Sequence, residues 1–196
     1  GLAPKASYAG YKGIITDFAS FLNALTPMLF AALSVIIALK AGLFNIGVSG
    51  QMLAAGFTAT ILIGYSVLPA AVAKPLVVVI GFVMGALVGA LVGYFKHKFN
   101  INEVVSTIML NYIILYIVSF FIYTFYVDPV SRQSKTVGAA GRLTLTDVVI
   151  GSYKMDIPLG ILLAAAGIVV TAFLLKKTTL GFEIKAVGSS VRAAEY

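Results

Sequence analysis

The chain has 196 residues, 60% of them hydrophobic and 11% charged, with a net charge of +7 and no cysteine; its mean hydropathy is +1.03. A soluble domain carries about 25% charged residues, so most of this surface must face lipid rather than water. The lack of cysteine excludes disulfides, thiolate metal sites and thiol nucleophiles, and basic residues set in short groups between apolar stretches suit anionic lipid headgroups rather than nucleic acid.

The opening stretch Gly1 to Tyr11 has neither an initiator Met nor an apolar signal core, and the expectation is of a chain that forms part of a longer protein. A helix needs about 20 apolar residues to cross a bilayer. The first such stretch runs from Phe18 to Leu39, interrupted by Asn23, Thr26 and Pro27. A Gly-rich junction, Ala41 to Gly47, separates it from a second, Val48 to Leu68. A third runs from Pro75 to Phe95, a fourth from Val104 to Tyr126, and a shorter fifth from Ile157 to Leu175. The expected fold is therefore all-α, a polytopic transmembrane helix bundle of about five spans. Residues 1–175 form the membrane region, with an extramembrane segment near 127–156 in which Arg142 to Thr146 reads as a short strand of a hairpin. Residues 176–196 form a polar tail with one short amphipathic helix outside the membrane. With five alternating spans, Lys40, Lys96, Lys98, Lys176, Lys177, Lys185 and Arg192 fall on one side, and Lys5, Lys12, Lys74, Arg132, Lys135, Arg142 and Lys154 on the other. The basic residues divide evenly between the two sides, so charge alone leaves the orientation open, with clustering beside the span ends favouring a cytoplasmic Lys96 and Lys176 side.

Three features of the spans stand out. Gly81, Gly85, Gly89 and Gly93 recur four apart, on one helical face, where a neighbouring backbone can approach closely; their expected role is helix packing. The run Gly42 to Gln51 puts glycines and the polar side chains Asn45, Ser49 and Gln51 at or near membrane depth. Non-helical backbone at that depth lines a cavity or is buried in protein; a tight turn with Asn45 or Ser49 capping the next helix accounts for the same residues. In the fourth span Glu103, Ser106, Thr107 and Asn111 share one face, which marks the bundle interior or a solute path, while Asn102 with an acid in the first turn also suits a helix cap. His97 lies between Lys96 and Lys98, a poor setting for a metal ligand, and no nucleophile elbow, zinc-binding helix motif or phosphate-binding Gly-Lys loop occurs. No catalytic residue and no metal site are expected.

Two stretches carry a family resemblance. Ala38 to Gln51, with GLFNIG followed by GQ, and Asn102 to Tyr112, with NEV followed by TIMLNY, resemble the signatures of permease subunits of ATP-binding-cassette (ABC) importers for nucleosides, in the superfamily of the ribose and branched-chain amino acid permeases. The tail Thr179 to Gly188, then Ala193-Ala194, resembles that family's ATPase-contacting loop. The resemblance implies a multi-pass protein of the bacterial cytoplasmic membrane, working with a second related permease, a cytoplasmic ATPase and an extracytoplasmic substrate-binding lipoprotein. It implies that the Lys176 side is cytoplasmic, that this chain binds no cofactor, and that ATP is used by the partner. On this basis Asn45, Ser49, Gln51, Thr107 and Asn111 are expected to line the solute path, their amides and hydroxyls suiting a neutral nucleoside. Gly181, Phe182, Ala186, Val187 and Gly188 are expected to couple the tail helix to the ATPase, moving span five as a lever. The alternatives are a sugar permease of the same superfamily, and a secondary transporter or channel without an ATPase. The second would ordinarily couple through intramembrane acids or bases, of which Glu103 is the sole candidate on the polar face.

Overall fold

Where no water reaches the backbone, each N–H and C=O must be satisfied within its own segment, and apolar stretches therefore form helices. The computed structural model describes residues 14–127, 138, 141–150 and 153–189. Readings placed on Lys5, Lys12, Arg132, Lys135, Arg192 and Ala193-Ala194 lie outside the described residues. Six helices and one hairpin follow in chain order: α1 (Ile14–Lys40), α2 (Val48–Ala59), α3 (Ala70–Phe99), α4 (Glu103–Phe121), β1 (Thr144–Ile150), β2 (Tyr153–Pro158), α5 (Leu159–Lys177) and α6 (Thr179–Ser189). Helices α2 and α4 each continue into a π-helical turn, Thr60–Gly64 and Ile122–Tyr126.

Among the described residues, four helices are long and apolar enough to cross a membrane: Asp17–Lys40, Ala70–Phe99, Glu103–Tyr126 and Leu159–Lys177. The second expected span is the exception. Val48–Gly64 is a shorter apolar helix, at the lower limit of about 17 residues for a bilayer crossing, because Ser66 and Pro69 end it before Leu68 can extend it. The all-α bundle is otherwise as expected.

The chain divides into two compact units, residues 1–42 with 143–196, and residues 43–142. In the first unit α1 packs on α5, and β2 runs beside α1. The α1–α5 contact is made by small residues one turn apart, the arrangement that lets membrane helices approach without a hydrophobic driving force. Ala164 is fully buried. A Cβ on Gly160 would lie 2.9 Å from Thr26 Cγ2, and one on Gly167 would lie 3.4 Å from Phe30 Cε1. Thr26 donates its hydroxyl to the Leu22 carbonyl at 3.0 Å, satisfying it within its own helix. Replacing Ala164 with leucine is expected to overpack this contact and cost about 1–3 kcal/mol. The same change at exposed Ala165 should fall within about 0.5 kcal/mol of zero; thermal unfolding of the purified protein compares the two.

The hairpin is antiparallel, pairing Ile150 with Tyr153 and Thr144 with Pro158, with an irregularity between Leu145 and Val148. It is longer than the expected Arg142 to Thr146 strand. Its second strand takes Ile157, so α5 opens two residues later than expected.

In the second unit α2 packs against both α3 and α4. At 30 residues α3 is about 45 Å long, more than a hydrocarbon core requires, and its basic last turn Lys96-His97-Lys98 extends the helix beyond what a span needs. It ends at Asn100 in the left-handed conformation, φ 52°, which Asn tolerates better than most residues. Past Ala73 no residue of α3 is buried. Of its four spaced glycines only Gly89 has a close neighbour among the described residues, a Cβ there lying 3.2 Å from Gln51 Nε2. At Gly81, Gly85 and Gly93 a Cβ would meet nothing within 4 Å.

Candidate functional site: the broken-helix junction and the tail helix

The junction at residues 43–51 and the start of α4 fold onto each other within the second unit. A helix leaves its first N–H groups without internal partners, and the residue before α2, Gly47, has no side chain to cap them. Two asparagines supply the acceptors. Asn45 Oδ1 accepts from the Gly47 N–H at 2.8 Å. Asn111, from the middle of α4, accepts from the Gly50 N–H at 2.8 Å through Oδ1 and donates through Nδ2 to the Ile46 carbonyl at 3.0 Å. Asn111 thus caps α2 from another helix, using both ends of its amide.

That approach depends on glycine. A Cβ on Gly50 would stand 2.6 Å from Asn111 Oδ1, and one on Gly47 would stand 3.1 Å from Thr107 Cγ2. Gly47, at the cap of α2, and Gly50 are three apart, and Thr107 and Asn111 are four apart on α4, so the members of each pair lie on the same side. Thr107 is 1% exposed. Its hydroxyl donates into the preceding turn of α4, with the Glu103 carbonyl at 2.8 Å and the Val104 carbonyl at 3.0 Å.

The first turn of α4 is capped by Asn102, whose Oδ1 accepts from the Val104 N–H at 2.8 Å. Ser106 is buried and donates to the Asn102 carbonyl at 3.1 Å. Glu103 pairs with Lys96 of α3 at 2.6 Å, its side chain only 17% exposed. The Asn-Glu opening of the fourth span therefore does what a helix start requires, and it ties α4 to the end of α3.

Of the five residues expected on a solute path, Asn45, Thr107 and Asn111 come together, with Thr107 and Asn111 on one face of α4. Their polar atoms meet backbone groups of the junction and of α4. Ser49 and Gln51 do not join them: Ser49 is exposed on α2, and Gln51 is half-buried beside Gly89 of α3.

The tail helix α6 belongs to the first unit. Thr178 closes the turn from α5, donating to the Leu174 carbonyl at 2.6 Å and accepting from the Gly181 N–H at 3.1 Å. This is an N-cap, for which the sequence offers a signal in the Thr178-Thr179-Leu180-Gly181 run that opens the tail helix. Gly181 is buried, and a Cβ there would overlap the Leu174 carbonyl. At the other end, a Cβ on Gly188 would overlap the Lys40 carbonyl and lie 3.0 Å from the Gly42 nitrogen. Gly42 itself has φ 72°, open to glycine and strained for other residues. Phe182 and Leu180 are strongly exposed, Val187 is exposed and Ala186 is half-buried. Gly181 and Gly188 thus face the chain's own backbone, while Leu180, which the sequence reading passed over, joins Phe182 on the outside.

The family model described as "branched-chain amino acid transport system / permease component" matches residues 18–196. The chain is 36% identical to the nucleoside ABC transporter permease protein NupB of Lactococcus lactis subsp. cremoris, over 89% of this chain and 50% of that protein. It is 33% identical to the guanosine ABC transporter permease protein NupP of Bacillus subtilis, over 97% of this chain and 55% of that protein. To a glucose ABC transporter permease protein of Haloferax volcanii it is 30% identical, over 86% of this chain and 46% of that protein. The chain spans about half the length of the curated relatives it matches. No solved structure matches it. The matched residues cover all four membrane-length helices, both faces of the broken junction and the tail helix, and the chain belongs to the branched-chain amino acid transport system permease family.

Proposed function

We propose that this chain is the membrane-embedded permease subunit of an ABC importer that moves nucleosides across the bacterial cytoplasmic membrane. One observation carries the choice of solute: two relatives matched over most of this chain are named for nucleoside and guanosine permeases. The chemistry of the junction agrees with it. Its polar groups are amides and hydroxyls, and the Glu103 carboxylate beside it is paired with Lys96. A neutral solute with many donors and acceptors suits such a lining, whereas proton coupling would call for an unpaired intramembrane acid or base.

In this account the partners are a second related permease, a cytoplasmic ATPase that binds and hydrolyses the ATP, and an extracytoplasmic binding lipoprotein. This chain does no covalent chemistry and holds no cofactor. Helix α6 docks on the ATPase through Phe182, Val187 and the neighbouring Leu180. Gly181 and Gly188 serve the coupling by letting α6 lie against the backbone of α5 and of the α1 end. Movement of α6 is then delivered to α1 as well as to α5. At the junction Asn45, Thr107 and Asn111 hold the non-helical residues ahead of α2 as a fixed element of the path, and Ser49 and Gln51 offer their polar ends to the solute. The exposed edge of α3 at Gly81, Gly85 and Gly93 seats a helix of the permease assembly, with Gly89 giving room to Gln51.

Uptake of radiolabelled uridine and adenosine in cells with and without the complete gene tests the proposal. Gene-dependent uptake that stops on ATP depletion and resists excess ribose is the expected result. Uptake blocked by ribose would move the assignment to sugars, the solute class of the Haloferax relative. Uptake that survives ATP depletion and collapses with the proton gradient would overturn the ABC mechanism.

A further inference from the structure

The second unit holds a cavity of about 270 Å³ between α2 and α4, away from the asparagine clamp. Its wall includes Gly56, Phe57, Thr60, Tyr65, Ile122 and Tyr126. Two independent features mark it. The first is backbone shape: Thr60 belongs to the π-helical turn of α2, and Ile122 and Tyr126 belong to that of α4. π-Turns inside α-helices are rare and recur at functional sites, and here two of them, from different helices, border one cavity. The second is chemistry. Tyr65 and Tyr126 stack with ring centroids 5.6 Å apart and planes 14° apart, and Phe57 adds a third ring to the wall. Small-molecule sites combine apolar and aromatic walls with a few polar groups; here those are the Thr60 hydroxyl and the two phenols.

We propose that this cavity is a niche for the planar base of the transported nucleoside, with the ribose left outside it. The inference rests on the nucleoside reading above and adds where the base is recognised. Size favours the base alone, since the cavity falls just below the roughly 300 Å³ at which pockets for whole small ligands begin. Stacking on tyrosine and phenylalanine accepts purine and pyrimidine alike, because every base has a π-face.

Gly56 provides a direct test. It lines the cavity, and a Cβ on it would meet nothing within 4 Å. A Cβ there strikes nothing, so a leucine can enter the niche from its Gly56 wall, and helix propensity improves on leaving glycine. The complete transporter containing this chain is reconstituted in vesicles, and the uridine KM is measured for wild type, Gly56→Ala, Gly56→Leu, Tyr126→Leu and Tyr126→Phe. Gly56→Leu and Tyr126→Leu are expected to raise KM roughly tenfold, within the range expected for a lost base–aromatic contact. Gly56→Ala, which takes less of the space, and Tyr126→Phe, which keeps the ring but loses one phenol, should raise KM less than their leucine counterparts. An unchanged KM in both leucine variants overturns the niche. A fall in assembled transporter without a change in KM overturns it too, and makes the cavity a seat for a helix or a lipid chain. Wild-type vesicles that accumulate no uridine at all reject the nucleoside reading itself, a result separable from either of these.

Discussion

Replacing Asn111 with leucine is expected to destabilise the protein by about 1–3 kcal/mol, because the buried Gly50 N–H is left without its acceptor and the more exposed Ile46 carbonyl loses its donor. Leucine keeps the branching of Asn, so no cavity is left, and its bulkier methyl groups beside Gly50 add a steric cost to the lost hydrogen bonds. Two backbone groups are orphaned at once: the Gly50 N–H, in the first turn of α2, and the Ile46 carbonyl, just before it. Neither has another partner assured, since Gly47 cannot cap its own helix and Asn45 already serves Gly47. Low local dielectric raises the stakes of each unmade bond. The consequence should appear as a lowered thermal midpoint of the purified transporter and a loss of transport rate. Serine 49 gives the contrast: Ser49→Ala, at an exposed position, should leave the midpoint near wild type. Equal midpoints for the two variants would show that Asn111 does not hold the junction.

Adding one methyl group at Gly188 is expected to uncouple the tail helix. The new Cβ would overlap the Lys40 carbonyl, and both groups facing it are backbone, so no side chain can swing aside. Relief requires α6 to lift from the end of α1 or to unwind, at an overpacking cost of about 1–3 kcal/mol. Gly42, already at φ 72°, offers little compensation. In membranes holding a comparable amount of the protein, Gly188→Ala should reduce ATP-driven uptake by about tenfold, the factor equivalent to about 1.4 kcal/mol. Phe182→Ala should separate the two roles of α6. Its side chain is 74% exposed, so its loss should weaken association with the ATPase while the thermal midpoint of this chain stays unchanged. Uptake by Gly188→Ala at the wild-type level would show that the α1–α6 joint carries no motion.

The membrane architecture was readable because hydropathy over about 20 residues depends on composition alone. α1, α4 and α5 accordingly lie close to their expected limits, while α3 runs from Ala70 to Phe99 and so exceeds the expected Pro75 to Phe95 at both ends. α2 is shorter than expected, since Ser66 and Pro69 weigh little in a hydropathy window yet stop a helix. The site was half readable. Gly47, Gly50, Thr107 and Asn111 belong to the two stretches that stood out, but a polar side chain at membrane depth reads the same whether it faces a solute or a backbone group. Asn111 meets Ile46 and Gly50, far away in sequence, and only the fold reveals that contact. Local spacing drew attention to the glycine stripe of α3, although the small-residue contact within the described chain lies on α5, where Gly160, Ala164 and Gly167 are spaced less regularly. The joint between Gly188 and Lys40 joins distant parts of the chain, and the π-turns of α2 and α4 follow no residue pattern. Neither had a sequence signal to find.

Accumulation in sealed vesicles tests the proposed carriage of nucleosides under the drive of an ATPase. The complete transporter is reconstituted with its binding protein outside, and labelled uridine inside is followed with and without ATP supplied to the ATPase side. Uridine is expected to accumulate above the external concentration only when ATP and the binding protein are both present. Equilibration of uridine without ATP, or ATP-driven accumulation of ribose but not of uridine, would contradict it.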